Sequence, residues 1–258
     1  MSQYHFPVKT LPDGRAMINL GSSARVADGW NNLDFSWLVR LGRHRVLSRW
    51  LHRAGLLTQA RYTRIVQMDP DTVLWDLARG IPYPDRTFDV VYHSHLLEHL
   101  DREQVPEFLR ECHRVLKDGG VLRVVVPDLE QLARSYLGVV EQMREPADME
   151  VHTQAVEAMI DQMVLRTPRH RRQQLKVVRM LESLLIGNTA GAGILHRWMY
   201  DRWSLEHVLR DAGFQNVQRH TATSSQIANW PDFGLDTDPD GSVYKPNSLY
   251  MEAKVIPR

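Results

Sequence analysis

At 258 residues, 43% apolar and with a formal net charge of +1, the chain is long enough to bury one substantial core, and nothing in it resembles a nucleic-acid recognition module. A single cysteine, Cys112, rules out a disulfide framework. No stretch approaches the roughly 20 consecutive apolar residues of a spanning helix, and the first residues lack the apolar run of a secretory leader. The expectation is one domain over residues 1–258 in the cytoplasm, with peripheral attachment to the inner face of the membrane as the variant to test.

In chain order, Arg15 to Leu20 reads as a first strand ending in Gly21-Ser22-Ser23, and Trp30 to Phe35 as a second carrying Asp34 at its end. Residues 37–64 then break the pattern. Arg40, Arg43, Arg45, Arg49, Arg53, Arg61 and Arg64 occur there without one acidic residue, interleaved with Trp37, Leu41, Val46, Leu47, Trp50 and Leu51. That spacing predicts a basic amphipathic helix, or two broken near Gly55. Its plain reading is a cap helix with a solvated arginine face and an apolar side buried in its own protein; its functional reading is attraction to anionic lipid or phosphate.

A third strand is expected over Val73 to Leu77, with Asp76 in it. Phe88 to Tyr92 and Val121 to Val126 are short, β-branched and largely apolar, as buried parallel strands are. Between them Val105, Phe108, Leu109, Cys112, Val115 and Leu116 recur at helical spacing, and Lys117-Asp118-Gly119-Gly120 supplies the glycine stop. Cys112 falls on the core face of that helix, a small buried hydrophobe. The connection between the two strands is then a right-handed crossover.

Residues 130–187 read as a second helical block, interrupted by Pro146 and Pro168 and carrying a basic run at Arg166, Arg169, His170, Arg171 and Arg172; extended to about residue 200, it makes a cap insertion over about 130–200. Ser204 to Phe214 is a capped helix stopping at Gly213, and strands near Asn216 to His220 and Ser248 to Ile256 close the sheet. The fold class is therefore α/β: a Rossmann-like, doubly wound, mostly parallel sheet with an antiparallel C-terminal edge hairpin and helical cap insertions.

Several strings in this frame occur together: Ile18-Asn19-Leu20-Gly21-Ser22-Ser23, Asn32-Leu33-Asp34, Asp76-Leu77, Phe88-Asp89-Val90-Val91-Tyr92, His95-Leu96-Leu97-Glu98-His99, Arg114-Val115-Leu116-Lys117-Asp118-Gly119-Gly120 and Val126-Pro127-Asp128. In order and spacing they resemble class I S-adenosylmethionine-dependent methyltransferases, most closely the type 11 branch found among bacterial polysaccharide and small-molecule methylases. The resemblance implies S-adenosylmethionine as cofactor and S-adenosylhomocysteine as product. It implies cofactor contacts from Asn19, Gly21, Ser22 and Ser23 in the first loop, Asp34 for the ribose hydroxyls, Asp76 and Leu77 for the adenine, and His93 and Ser94 beside the sulfonium. Against each stands a structural reading: a turn glycine, strand-end or turn-capping aspartates, loop histidines.

Methyl transfer to a hydroxyl needs alignment and a base, for which His95, Asp128 and His196 are the candidates. The string His95-x-x-Glu98-His99 also spells an inverted zinc-protease motif. A metal would need a third ligand from elsewhere, and the string directly follows a buried strand, so no metal is expected. The acceptor expected by family likeness is a saccharide or lipid-linked glycan. Another small molecule, a lipid headgroup, or a cofactor-binding scaffold without turnover are the alternatives.

Overall fold

The computed structural model describes residues 6–143, 149–163 and 196–256. Seven strands form one sheet in the order β3-β2-β1-β4-β5-β7-β6. They are β1 (Met17–Leu20), β2 (Asn31–Asp34), β3 (Val73–Leu74), β4 (Phe88–Ser94), β5 (Leu116–Pro127), β6 (Gln215–His220) and β7 (Ser248–Lys254). The first five pair in parallel, while β7 runs antiparallel to both β5 and β6. The expected antiparallel pair at the C-terminal end is present, although residues 221–247 separate its strands and β7 lies inside the sheet with β6 at the edge.

Alternation along the strands sorts the core into two faces. Ile18, Leu20, Leu33, Val91, Leu122, Val124, Leu249 and Met251 point to one, where they meet α4 (Val105–Val115) through Phe108, Leu109 and Cys112. A later helix, α7 (Arg202–Asp211), adds Leu205 and Leu209 to the same cluster. Pro106 in the first turn starts α4, where a missing N–H costs nothing. α4 ends at Val115 and β5 begins at once at Leu116, so the glycines expected as a helix stop lie inside β5, where Gly119 has φ +77° and a Cβ on Gly120 would stand 2.8 Å from the Lys117 carbonyl. α7 begins one turn earlier than expected: Asp201 is its N-cap and Ser204 answers it in a reciprocal capping box.

The second face carries Met17, Val90, Tyr92, Val121, Val125 and Tyr250, and among the described residues it is covered by an irregular segment through Ala222, Ile227, Trp230 and Leu235. Arg123 also points there, fully buried. Four hydrogen bonds hold it: Nε donates to Asp236 Oδ2 (2.9 Å), Nη1 to Glu252 Oε1 (2.7 Å) and the Ser224 carbonyl, and Nη2 to the Thr221 carbonyl, while Nη2 also lies 2.8 Å from Asp236 Oδ2 as an ion pair. Tyr92 and Trp230 donate to the same Asp236, so the network binds the irregular segment to the sheet.

Between β2 and β3 lie α1 (Trp37–Gly42), α2 (Arg45–Arg53) and α3 (Gln59–Gln67), which pack on one another. The expected basic helix is thus three short ones. α2 does not bury the apolar side assigned to it: Val46, Leu47 and Trp50 are 84%, 47% and 63% exposed beside exposed Arg45, Arg49 and Arg53. In the later insertion, α5 (Leu129–Gln142) packs on α6 (Met149–Met163). The basic run from Arg166 to Arg172 and both interrupting prolines fall outside the described residues.

Arg123→Met is expected to lower the unfolding free energy by about 3–5 kcal/mol, read from the urea midpoint, because it strands two buried carboxylates. Adding Glu252→Leu and Asp236→Leu should recover much of that loss.

Candidate active site

The carboxyl ends of β3, β2, β1, β4 and β5 form one edge, and most of the expected site residues lie along it. After β1 the chain turns at Gly21, where φ is +69° and an added Cβ would stand 3.2 Å from the Leu96 side chain. The N–H groups of Gly21 and Ser22 both donate to the Leu33 carbonyl, tying this loop to β2. The connection from β1 to β2 is only residues 21–30 and contains no helix, so the loop is held by other means. Asn19 spends its amide on the Arg25 carbonyl at 2.8 Å, which makes it a brace for the loop. Arg25 in turn donates to the Thr237 carbonyl, pairs with Asp238 and covers the Tyr244 ring.

Asp34 sits at the end of β2, 7% exposed, with Oδ2 accepting from the Ser23 N–H (2.8 Å) and Oδ1 from the Ser36 N–H (2.5 Å). Each oxygen keeps lone-pair capacity for a further donor. The hydroxyls of Ser36, whose N–H reaches this carboxylate, and of Ser22, one residue before Ser23, are buried and without hydrogen-bond partners among the described residues. A buried polar group without a partner is costly, and a polyhydroxylated ligand at Asp34 would satisfy it. The loop thus fits a ribose-bearing cofactor. Ser36 was not among the residues singled out from sequence, although a serine two positions after a strand-end aspartate was a readable cue. Asp76 caps the turn Leu77–Arg79 through Ala78 N–H at 3.0 Å, with Leu77 half-buried against the core.

At the end of β4 the expectations divide. His93 is fully buried on the helical face, its ring edge-on to Phe108 at 5.3 Å and both nitrogens without hydrogen-bond partners among the described residues. Alternation on β4 turns it to the sheet face opposite Ser94, where it is enclosed in the core. Burial pushes its pKa down to about 4, the nearby Glu98 acting in the opposite sense.

His95 follows in the left-handed region at φ +51°, a sparsely occupied conformation for a residue with a side chain. Its Nε2 lies 2.9 Å from Ser248 Oγ and its Nδ1 3.2 Å from Glu98 Oε1. Burial lowers the His95 pKa against the pull of Glu98. Burial pushes Glu98 up, but His95 and His99 outweigh it and hold the carboxyl below its ordinary range. The favoured tautomer is then Nδ1–H toward Glu98 with Nε2 accepting, as a base requires. Nearby, burial brings the Lys245 ammonium down to about 8.

His196 is carried to this cluster by backbone bonds: the N–H groups of Arg197 and Trp198 donate to the Glu98 carbonyl at 2.7 and 3.3 Å. Its Nε2 lies 3.9 Å from Glu98 Oε1. Asp128 is not brought in as a base. It is 1% exposed, caps α5 through the Gln131 N–H and pairs with Arg219 at 3.1 Å, so both oxygens have structural work. A cleft lined by Lys9, Gly29, Trp30, Met68 and Asp71 lies at the opposite, amino ends of β2 and β3.

Residues 46–124 match the family described as methyltransferase domain, a stretch running from α2 through β3, β4 and α4 into β5. A 57-residue segment is 37% identical to the "Probable methyltransferase ltbC" of Aspergillus luteorubrus, covering 20% of each chain, so the likeness spans about a fifth of that relative. Among solved structures, a SAM-dependent methyltransferase from Archaeoglobus fulgidus is 12% identical at a TM-score of 0.40, covering 92% of this chain and 85% of the other. Geranyl diphosphate C-methyltransferase from Streptomyces coelicolor A3(2) is 13% identical at 0.38, covering 98% and 76%.

His93 makes acid stability testable. Its proton affinity is lower in the fold than the ordinary 6.5, so its contribution is intact above that pH and is lost as pH falls toward 4. Urea denaturation should show wild type losing about 2 kcal/mol more than His93→Leu between pH 7 and pH 5.

Proposed function

We propose that the chain, whose residues 46–124 match a methyltransferase domain, is a class I methyltransferase of the type 11 group that transfers a methyl group from S-adenosylmethionine to a sugar hydroxyl in a glycan, polysaccharide or glycolipid intermediate. When bound, the cofactor supplies a methyl carbon on a sulfonium, open to in-line displacement by an oxygen. Asp34, held by the Ser23 and Ser36 N–H groups, would hold the ribose, and the left-handed turn at Gly21 lets the backbone come close.

The observation that carries the hydroxyl acceptor is the His95–Glu98 pair. His95 Nε2 would accept the hydroxyl proton as the oxygen attacks, taking the place of its bond to Ser248. Glu98 on the other nitrogen orients the ring and stabilises the imidazolium that forms. Trp198 and Trp203, 39% and 68% exposed in the segment that carries His196, offer aromatic faces of the kind that suit the apolar side of a sugar ring.

A second observation bears on where the acceptor is met. Val46 and Trp50 lie one turn apart on α2 with Leu47 beside them, exposed and flanked by Arg45, Arg49 and Arg53. This combination suits the interface of an anionic membrane, with tryptophan at headgroup depth and arginines on phosphate. It favours a lipid-linked acceptor, and a lipid headgroup is the second reading it supports. No helix among the described residues is long and apolar enough to cross a membrane.

Calorimetry with S-adenosylhomocysteine tests the first reading. Wild type should bind one to one, Asp34→Ala should show no measurable binding while remaining folded, and His95→Gln should bind within about threefold of wild type but turn over glycan acceptors about 10²–10⁴-fold more slowly. A folded wild type that binds no cofactor would leave a scaffold role instead.

Sedimentation with phosphatidylserine vesicles tests the second. Arg45→Glu with Arg49→Glu should abolish association, and neutral vesicles should not bind; equal binding by variant and wild type would sink the docking assignment.

A further inference from the structure

Glu98, His99 and His196 are brought together so that a ligand atom from each lies within 4.8 Å of the others. Two come from adjacent positions on the turn Leu97–His99, and the third arrives nearly a hundred residues later. That third residue is the ligand which the string His95-x-x-Glu98-His99 lacks by itself. We propose that Glu98, His99 and His196 form a binding site for one divalent metal ion, with Zn²⁺ the cation that two imidazoles and a carboxylate best suit.

The backbone makes the meeting specific. The Arg197 and Trp198 N–H groups are anchored on the Glu98 carbonyl, so His196 is positioned by bonds that do not depend on its own rotamer. The His99 and His196 rings stand 4.9 Å apart at 67°, an arrangement from which a nitrogen of each can turn toward the same point.

Glu98 is fully buried, and its carboxylate has no amide or hydroxyl donor among the described residues. Its Oε1 stands 3.2 Å from His95 Nδ1. A buried carboxylate so placed, with imidazoles as its neighbours, is a poor structural element and a good metal ligand. Metal–ligand distances of about 2.0–2.2 Å put ligand atoms about 3–4 Å apart, so small side-chain rotations would close the set.

His95 then takes an outer position, one nitrogen against the ligating Glu98 and the other against Ser248, the arrangement that orients a metal's carboxylate ligand. The cation would sit on the Nδ1 side of His95, away from the Nε2 assigned as base, so it would reach the base only through Glu98 and the imidazole ring. That consequence rests on the methyl-transfer reading. The metal site itself does not.

The test uses the full chain, stripped with chelator and free of cofactor and acceptor. Calorimetric titration with Zn²⁺ should give one site, and Co²⁺ should develop visible d–d absorption. Glu98→Gln and His196→Ala should each weaken binding by at least about tenfold with unchanged circular dichroism, while His95→Gln should keep the one-to-one stoichiometry. No Zn²⁺ or Co²⁺ binding by folded wild type, or binding that neither ligand substitution weakens, would overturn the assignment. Because S-adenosylhomocysteine is titrated separately, a protein that binds metal without cofactor rejects the proposed reaction alone, and the converse rejects the metal site alone.

Discussion

Arg123 and Glu252 face each other across the β5–β7 ladder with no exposure to solvent, and the position of the last strand follows from that pair. In an antiparallel ladder a slip of one residue turns every side chain to the opposite face. Here such a slip would bury two unmatched charges among apolar neighbours, a far larger penalty than misplacing a valine. The register that keeps the pair sets Ser248 opposite Pro127, within reach of His95, and draws the Asp236 segment down over Trp230 and Tyr92. A charge cluster deep beneath the sheet thereby determines which hydroxyl meets the histidine at its edge.

Much of the architecture was legible because its strands and helices carry strong local signals. Phe88 to Tyr92 and Val121 to Val126 are β-branched runs separated by a helical period, and both strands and the intervening α4 are present, although β5 begins at Leu116 and takes in the Lys117–Gly120 stretch expected to stop the helix. The cover of the second face was not legible. Nothing periodic marks residues 221–235, whose place is set by Trp230 and by polar bonds to Arg123, and that arginine reads in sequence as an interruption of an apolar strand. α2 failed for a different reason. Its periodicity correctly announced a helix, but periodicity cannot say whether an apolar stripe is covered.

The site divides along the same line. Gly21, Asp34 and His95 stand at strand ends, where topology alone assigns them to the ligand edge. Asp128 stands at a strand end too, yet a helix begins immediately after it and Arg219 lies across from it, so its carboxylate is taken up by capping and pairing. His93 shows how fine the distinction is: one position before Ser94 and two before His95, it is turned by the pleat into the core. The nearness of His196 to Glu98 could not be read locally, since it depends on two backbone hydrogen bonds between segments far apart in the chain.

The chain departs from the sheet at Leu129 and is beside it again at Tyr200, whose carbonyl accepts the Leu129 N–H at 2.9 Å. An excursion whose two ends are hydrogen-bonded neighbours is nearly independent of its own length: doubling it adds only about 0.6 kcal/mol of closure entropy. Whatever occupies that stretch can therefore be exchanged, lengthened or trimmed while the strand ends and their carboxylates stay in place. The fold behaves as a fixed socket with a replaceable fitting.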